Sequence, residues 1–269
     1  SDRELKALFP FEALKAFRER ALTPEAPVLR GSAQNPDHFF QNREASNPFY
    51  LRAPKVVAEV MEAFGRVTGR PYQPYQYLGH PEAERVVVVM GSGSLAVEEV
   101  LEYLLKRGER VGMVRVRLYR PFGLEAFLEA LPKTARRIAV LDRGKEAGAL
   151  GEPLFQDVAA ALALGGRQAL LVGGRYGLSS KEFTPAMALG VYEELARENP
   201  RHGFTVGIED DVTGLSLPYP EVDFEDPGSV RAVFFALGSD GTVSANKNTI
   251  KIIGEETPLY AQGYFVYDS

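Results

Sequence analysis

One stretch, Arg85 to Phe122 (RVVVVMGSGSLAVEEVLEYLLKRGERVGMVRVRLYRPF), limits the folds open to this chain. Val86 to Met90 is a continuous apolar run rich in β-branched residues, which reads as a strand buried on both faces. Gly91-Ser92-Gly93-Ser94 breaks the run. Apolar residues then recur at Val97, Val100, Leu101, Leu104 and Leu105, the spacing of one buried helical face. Ser94 is the expected N-cap, Glu98 and Glu99 sit near the positive end of the helix dipole, and Gly108 is the expected stop. Val111 to Leu118 reads as the next strand. The succession is a βαβ unit, and it predicts a mostly parallel sheet covered by helices.

A length of 269 residues suits one large domain or two ordinary ones, and 45% hydrophobic residues allow a full core. The absence of cysteine excludes disulfides, zinc–thiolate sites and cysteine-ligated iron–sulfur clusters within this chain. His38, His80 and His202 are far apart in sequence and show no metal-ligand spacing. A net charge of −5 without a basic run argues against nucleic acid. No apolar run approaches the roughly 18 residues of a membrane span, and SDRELKALFPFEALKAFRER lacks the apolar stretch of a signal peptide. The expectation is a soluble cytoplasmic protein. The chain opens directly in an amphipathic segment and stops just after a strand-like run, so a piece of something longer is expected.

Leu5 to Arg20 has helical periodicity with an interruption at Pro10. Asn35-Pro36 and Asn47-Pro48 bracket a short helix-like segment, and Pro54 to Arg66 reads as a second amphipathic helix. Arg70 to His80 (RPYQPYQYLGH) has no clear period and reads as a surface linker, with a domain boundary near it. After the βαβ unit come a short helix at Leu124 to Leu131 and a strand at Ile138 to Leu141. A helix at Leu154 to Leu164 and a strand at Ala169 to Val172 follow. Thr184-Pro185 opens a further helix, and Phe204 to Ile208 is the fifth strand. Pro218 to Pro227 is an acidic, Pro-rich linker. A second, smaller βαβ piece closes the chain, with strands at Val230 to Leu237 and Leu259 to Tyr267 around a helix at Val243 to Ile253.

Sites in open α/β sheets lie beyond the carboxyl ends of the strands. Gly91–Ser94, Asp142–Gly151, Gly173–Ser180 and Glu209–Thr213 are expected to gather there. Asp142, Glu146, Glu152, Glu209, Asp210 and Asp211 are the acids available for a carboxylate pair, although surface loops commonly carry such residues without a catalytic role. Arg115 and Arg117 share one strand face and cannot enter a core unpaired, so acidic partners or a neighbouring domain are expected against them. Gly238-Ser239-Asp240-Gly241-Thr242 sits between a strand-like run and a helix carrying Asn246 and Lys247. Free N–H groups at such a helix start suit a phosphate, although the pattern is neither a dinucleotide fingerprint nor a Walker loop. No Ser/His/Asp or Cys/His set is present. Residue patterning alone therefore gives a cytoplasmic α/β protein without a self-sufficient catalytic set.

Several long segments add a resemblance. GSAQNPDHFFQNREASNPFY, VRLYRPF, RIAVLDRGKEAGALGEPLFQDV, GGRYGLSSKEFTPAM, FFALGSDGTVSANKNTIKIIGE and YAQGYFVYDS closely resemble the single-chain pyruvate:ferredoxin (flavodoxin) oxidoreductases, over essentially the whole chain. The resemblance implies a much longer parent, homodimeric, that uses thiamine pyrophosphate with Mg²⁺, coenzyme A and [4Fe–4S] clusters. Such a parent cleaves pyruvate to acetyl-CoA and CO₂ and reduces ferredoxin or flavodoxin. By the same resemblance, residues 1–77 correspond to the end of the thiamine pyrimidine-binding domain. Residues 78–228 correspond to a three-layer α/β/α domain like the transketolase C-terminal domain, and residues 229–269 to the start of a γ-subunit-like domain. The family's catalytic residues fall upstream of Ser1, so none is assigned here and the isolated chain is expected to be inactive. Gly238, Ser239, Asp240, Gly241, Thr242, Asn246 and Lys247 are the expected coenzyme A contacts. A free-standing α/β scaffold or binding module is the competing expectation.

Overall fold

The computed structural model describes residues 1–28, 31, 33–179, 181–224 and 228–266. Ser180, residues 225–227 of the expected acidic linker and Tyr267 at the end of the last expected strand lie outside the described residues. The chain divides into two compact units, Ser1–Phe224 and Glu225–Ser269.

The first unit opens with helices α1 (Asp2–Leu8), α2 (Phe11–Glu19), α3 (Pro36–Glu44) and α4 (Asn47–Thr68). Pro10 separates α1 from α2 as its missing N–H predicts. Ser1 and Glu4 form a capping box at the start of α1. None of these helices contains a buried residue.

The sheet comprises β1 (Tyr75–Gly79), β2 (Arg85–Met90), β3 (Val111–Val116), β4 (Arg137–Asp142), β5 (Leu170–Tyr176) and β6 (Phe204–Val206). Its order is β1-β3-β2-β4-β5-β6. β2 pairs in parallel with both β3 and β4, the parallel ladder continues to β6, and β1 pairs antiparallel with β3. Helices α5 (Gly93–Lys106), α6 (Leu124–Ala130), α7 (Pro153–Leu164) and α8 (Pro185–Ala196) cover the two faces. Val87 and Val89 pack with α5 and α8, and Val86 and Val88 pack with α6 and α7. All four valines are fully buried, and each contributes on the order of 1.5–3 kcal/mol of hydrophobic burial. The result is the three-layer α/β/α arrangement expected from the βαβ unit.

Three local expectations are corrected. The segment read as a linker at Arg70 to His80 contains β1, so the boundary expected at residues 77–78 falls inside a strand. Tyr75 explains the strand. Its ring packs 5.3 Å from Phe122 and 5.6 Å from Phe127, and its hydroxyl accepts the Gly123 N–H at 2.7 Å. Tyr77 then crosses Gly112, where any Cβ would collide with the Tyr77 ring. The second correction concerns Ser94. It lies inside α5 rather than capping it, and its hydroxyl donates to the Gly91 carbonyl at 2.7 Å. At the other end of α5 the expectation holds: Gly108 adopts φ +81° and the helix stops.

The third correction concerns the second unit. It holds one helix, α9 (Thr242–Glu256), and among its described residues neither flanking run forms a strand. The expected βαβ piece is therefore a helix between irregular segments. A strand forms only where another strand accepts its hydrogen bonds, and this short unit supplies no such edge. Val230, Phe235 and Leu237 are 96%, 92% and 99% exposed.

Phe127 is fully buried at the centre of the α6–β1 aromatic cluster. Phe127→Ala is expected to destabilise the first unit by roughly 3–5 kcal/mol. Leu164→Ala, on a side chain 76% exposed, is expected to change stability by less than about 0.5 kcal/mol. Urea unfolding of the two variants side by side checks the contrast.

Candidate functional site

Residues paired at the strand ends include Met90 with Val116, Val89 with Leu141, Asp142 with Arg175, and Tyr176 with Val206. The carboxyl ends of β2 to β6 are thus level, and the described residues of the loops expected to gather beyond them do so; Ser180 lies outside the described residues. Three of their acids, Asp142, Glu152 and Asp210, are already engaged. Asp142 accepts the Leu154 N–H at 3.0 Å and the Phe155 N–H at 3.1 Å, fastening the first turn of α7. Burial raises its carboxyl above the ordinary range, partly opposed by those two N–H groups. Glu152, at the N-cap of α7, is 7% exposed and pairs with Arg175 at 3.5 Å. Asp142 and Glu152 are therefore brought to one helix start, each with its own structural partner. Glu146, Glu209 and Asp211 are exposed. Among the described residues no group of His, Cys, Asp and Glu is arranged to hold a metal ion.

Arg143 donates from Nε to the Gly177 carbonyl at 2.7 Å and from Nη2 to the Ser179 carbonyl at 2.9 Å. The Tyr176 hydroxyl donates to the Met90 carbonyl at 3.2 Å. Gly93 permits that approach, since a Cβ there would lie 2.6 Å from the Tyr176 oxygen. Helix–strand packing is thus the role of this glycine. Asp210 accepts three backbone N–H groups, from Val212, Thr213 and Leu215, together with the Thr213 hydroxyl. These bonds hold its carboxyl far below the usual range.

Several residues escaped the sequence reading. His202 accepts the Gly173 N–H at Nδ1, 3.0 Å away, which leaves Nε2 to donate to the Leu150 carbonyl at 2.7 Å. Its ring stacks 4.7 Å from Phe155. One imidazole thus joins the 145–151 loop, β5 and the start of β6. Glu194, only 3% exposed, accepts the Arg201 N–H at 2.8 Å and pairs with Arg197 at 3.2 Å. His202 depends on neighbours 29 and 52 residues away that no local pattern announces, whereas Glu194–Arg197 is an i,i+3 pair at the end of α8.

The two arginines at the carboxyl end of β3 have different fates. Arg115 binds Glu98 and donates to the Ser94 hydroxyl at 2.9 Å. The expected acidic partner is therefore present for Arg115. Arg117 instead lies over the Tyr72 ring at 4.8 Å, and its Nη1 is buried without a partner.

In the second unit, Gly238, Ser239 and Gly241 all take positive φ, forming a tight turn into α9. Asp240 accepts the Leu237 N–H and the Thr242 N–H, each at 3.0 Å, which pulls its carboxyl down to about 2. The helix start thus presents a carboxylate. Lys247 sits 5.6 Å from the centre of the Phe265 ring. The turn and Asn246 and Lys247 belong to one turn-and-helix element, but the donor expected for a phosphate is occupied at Thr242.

Residues 83–186 match the family model described as pyruvate:ferredoxin oxidoreductase core domain II. The chain is 58% identical over 266 residues to a putative pyruvate-flavodoxin oxidoreductase of Synechocystis sp., covering 98% of this chain and 22% of that protein. It is 56% identical over 267 residues to the pyruvate:ferredoxin oxidoreductase of Moorella thermoacetica, covering 99% of this chain and 23% of that protein. A probable pyruvate-flavodoxin oxidoreductase of Escherichia coli is 54% identical, over 100% of this chain and 23% of its own length. Among solved structures, a 2-oxoglutarate:ferredoxin oxidoreductase from Magnetococcus marinus aligns over 65% of this chain and 28% of its own, with 19% identity and a TM-score of 0.40.

His202→Leu removes the acceptor of the Gly173 N–H and the donor to Leu150. It is expected to cost about 1–3 kcal/mol and to speed proteolysis within residues 145–151, read by urea titration and by mapping the cleavage site. For Asp240, the folded carboxyl at about 2 lies below the unfolded value of about 4. Its contribution is present above the unfolded value and is lost as pH falls from about 4 through about 2. Asp240→Asn is expected to flatten that acid-dependent loss of α9 helicity; an unchanged acid limb in circular dichroism would remove Asp240 from the cap.

Proposed function

We propose that this chain, a stretch of the pyruvate:ferredoxin (flavodoxin) oxidoreductase family, is the interdomain core of a larger enzyme. That enzyme converts pyruvate and coenzyme A to acetyl-CoA and CO₂ and passes electrons to ferredoxin or flavodoxin. One observation carries the reading: identity of 52–58% extends across nearly the whole chain while the pyruvate–ferredoxin and pyruvate–flavodoxin relatives run to more than four times its length. Within it, the helices before β1 close a thiamine-binding domain, the sheet from β1 onward forms the central α/β domain, and the second unit begins the next domain. The parent is a cytoplasmic homodimer in this reading, and no helix among the described residues is long and apolar enough to cross a membrane.

The chemistry belongs to the rest of the parent. Thiamine pyrophosphate with Mg²⁺ supplies the decarboxylation there, and cysteine-ligated clusters must be held elsewhere because this chain has no cysteine. The role of the central sheet is to hold its loops in fixed positions, which the backbone contacts of Asp142, Arg143 and His202 support. Coenzyme A contact through Gly238, Ser239, Gly241, Thr242, Asn246 and Lys247 is part of the same proposal. With Asp240 at the helix start, contact there suits a hydroxyl or amine of the ligand rather than a phosphate.

The full-length gene product is expected to reduce methyl viologen with pyruvate and coenzyme A, and the 269-residue chain to show no turnover. Turnover by the short chain, or a native product of that length, would overturn the reading. In the full-length enzyme Lys247→Ala is expected to raise the KM for coenzyme A about tenfold with pyruvate binding unchanged. An unchanged KM removes Lys247 from the site.

A further inference from the structure

Among the described residues three buried polar atoms lack a hydrogen-bond partner: Arg117 Nη1, Tyr119 Oη and Arg175 Nε. All three belong to the carboxyl ends of β3 and β5 or the residues just beyond. Tyr119 is neutral, with burial and the nearby Asp157 pushing its hydroxyl up to about 12. Arg175 has Glu152. Arg117 has no carboxylate of its own.

The charges around Arg117 do not balance. Arg115 stands beside it and takes Glu98, the Ser94 hydroxyl and Gln76. The start of α5, which has no side-chain cap, adds its partial positive charge near Ser94. Two guanidinium groups thus share one acid. Burial and the neighbouring Arg115 both disfavour the charged form of Arg117, and Tyr72 and Glu98 only partly offset them. The residue is nevertheless anchored. Its backbone N–H donates to the Pro74 carbonyl at 2.8 Å. Its planar face rests on Tyr72, which packs 5.6 Å from Phe64 of α4.

We infer that Arg117 is a docking cation, completed in the full-length protein by a carboxylate side chain from polypeptide outside these 269 residues. This rests on the larger-enzyme reading above. A half-buried guanidinium whose Nη1 is buried without a partner calls for an anionic one, and a carboxylate matches its flat edge. A tethered carboxylate is favoured over a free anion by the donors on hand. Arg115 is spent, one face of Arg117 is covered by Tyr72, and a single guanidinium edge holds a dissolved ion weakly. Tethering raises the local concentration to the millimolar range or beyond with no further contact.

The test compares one substitution in two contexts. In the full-length enzyme Arg117→Gln is expected to reduce hydrogen-exchange protection of residues 111–116 about tenfold. In the 269-residue chain the same change is expected to alter protection less than about twofold, since no carboxylate is lost there. Equal losses in both contexts overturn the inference and leave Arg117 with its Tyr72 contact alone. Adding phosphate or acetate at about 50 mM to the short chain is expected to change nothing. Protection that appears with Arg117 and vanishes with Arg117→Gln would instead assign a free-anion site. Should the Gln variant not fold, Arg117→Lys in the full-length protein allows carbodiimide coupling at position 117. Mass spectrometry is expected to find it joined to an Asp or Glu outside residues 1–269, and coupling to Glu98 alone overturns the proposal. A native gene product of only 269 residues would defeat the larger-enzyme reading itself, a result separate from all of these.

Discussion

The double-sided burial of β2 is the constraint on which the first unit depends. Val86 to Val89 are alternately committed to two cores, one under α5 and α8 and one under α6 and α7. A strand with no polar face has no solvent-facing register, so it must be sandwiched. Its neighbours β3 and β4 both run parallel to it, and a parallel neighbour requires a crossover long enough to return to the starting edge. The crossovers supply the helices that cover the faces. They also deliver the following loops to the carboxyl edge of the sheet, so the core and the candidate site have one cause.

At that edge the side chains bind the chain's own backbone more than one another. Asp142 takes two N–H groups of α7, Arg143 takes two carbonyls, Tyr176 takes the Met90 carbonyl, and His202 uses both ring nitrogens. Polar groups used in this way fix loop positions and leave little capacity for acid–base work. A general base needs a free lone pair facing a cavity, and Asp142 has given its oxygens to a helix start. The apolar groove of about 700 Å³ between α4 and α6 lies near Tyr75, Pro121 and Phe122, away from these acids.

How much of this is legible in the sequence follows from the range over which each signal acts. The β2–α5–β3 unit is legible because its periodicities are local, and so are the helix stop at Gly108 and the Thr184-Pro185 start. β1 is not, because five residues flanked by Pro and Gln carry little period, and Tyr75 earns its place only against Phe122 and Phe127. The runs at 230–237 and 259–266 show the opposite failure. Their composition favours strands, but β propensity is a fit to a neighbouring surface, and the second unit offers none. Arg115 and Arg117 look alike in sequence. Only the packing of Glu98 and Tyr72 separates a satisfied ion pair from an unbalanced cation.

The margins of the chain differ from its centre in a way that bears on function. α1, α2 and α3 have 7, 9 and 9 residues, and isolated helices shorter than about 12–15 residues are marginal in water. Helices of this length gain their order from an apolar face laid on a neighbour. Here Phe17 of α2 and Phe40 of α3 are 66% and 65% exposed, so those side chains stand without a cover. In the second unit Phe235, Leu237 and Tyr260 are similarly open. Exposed apolar surface on this scale marks an interaction surface in a soluble protein. The sheet meets its own requirements for packing and hydrogen bonding, whereas the helices before it contain no buried residue. That asymmetry fits the larger-enzyme proposal, because a domain separated from its neighbours keeps its core and loses its interfaces.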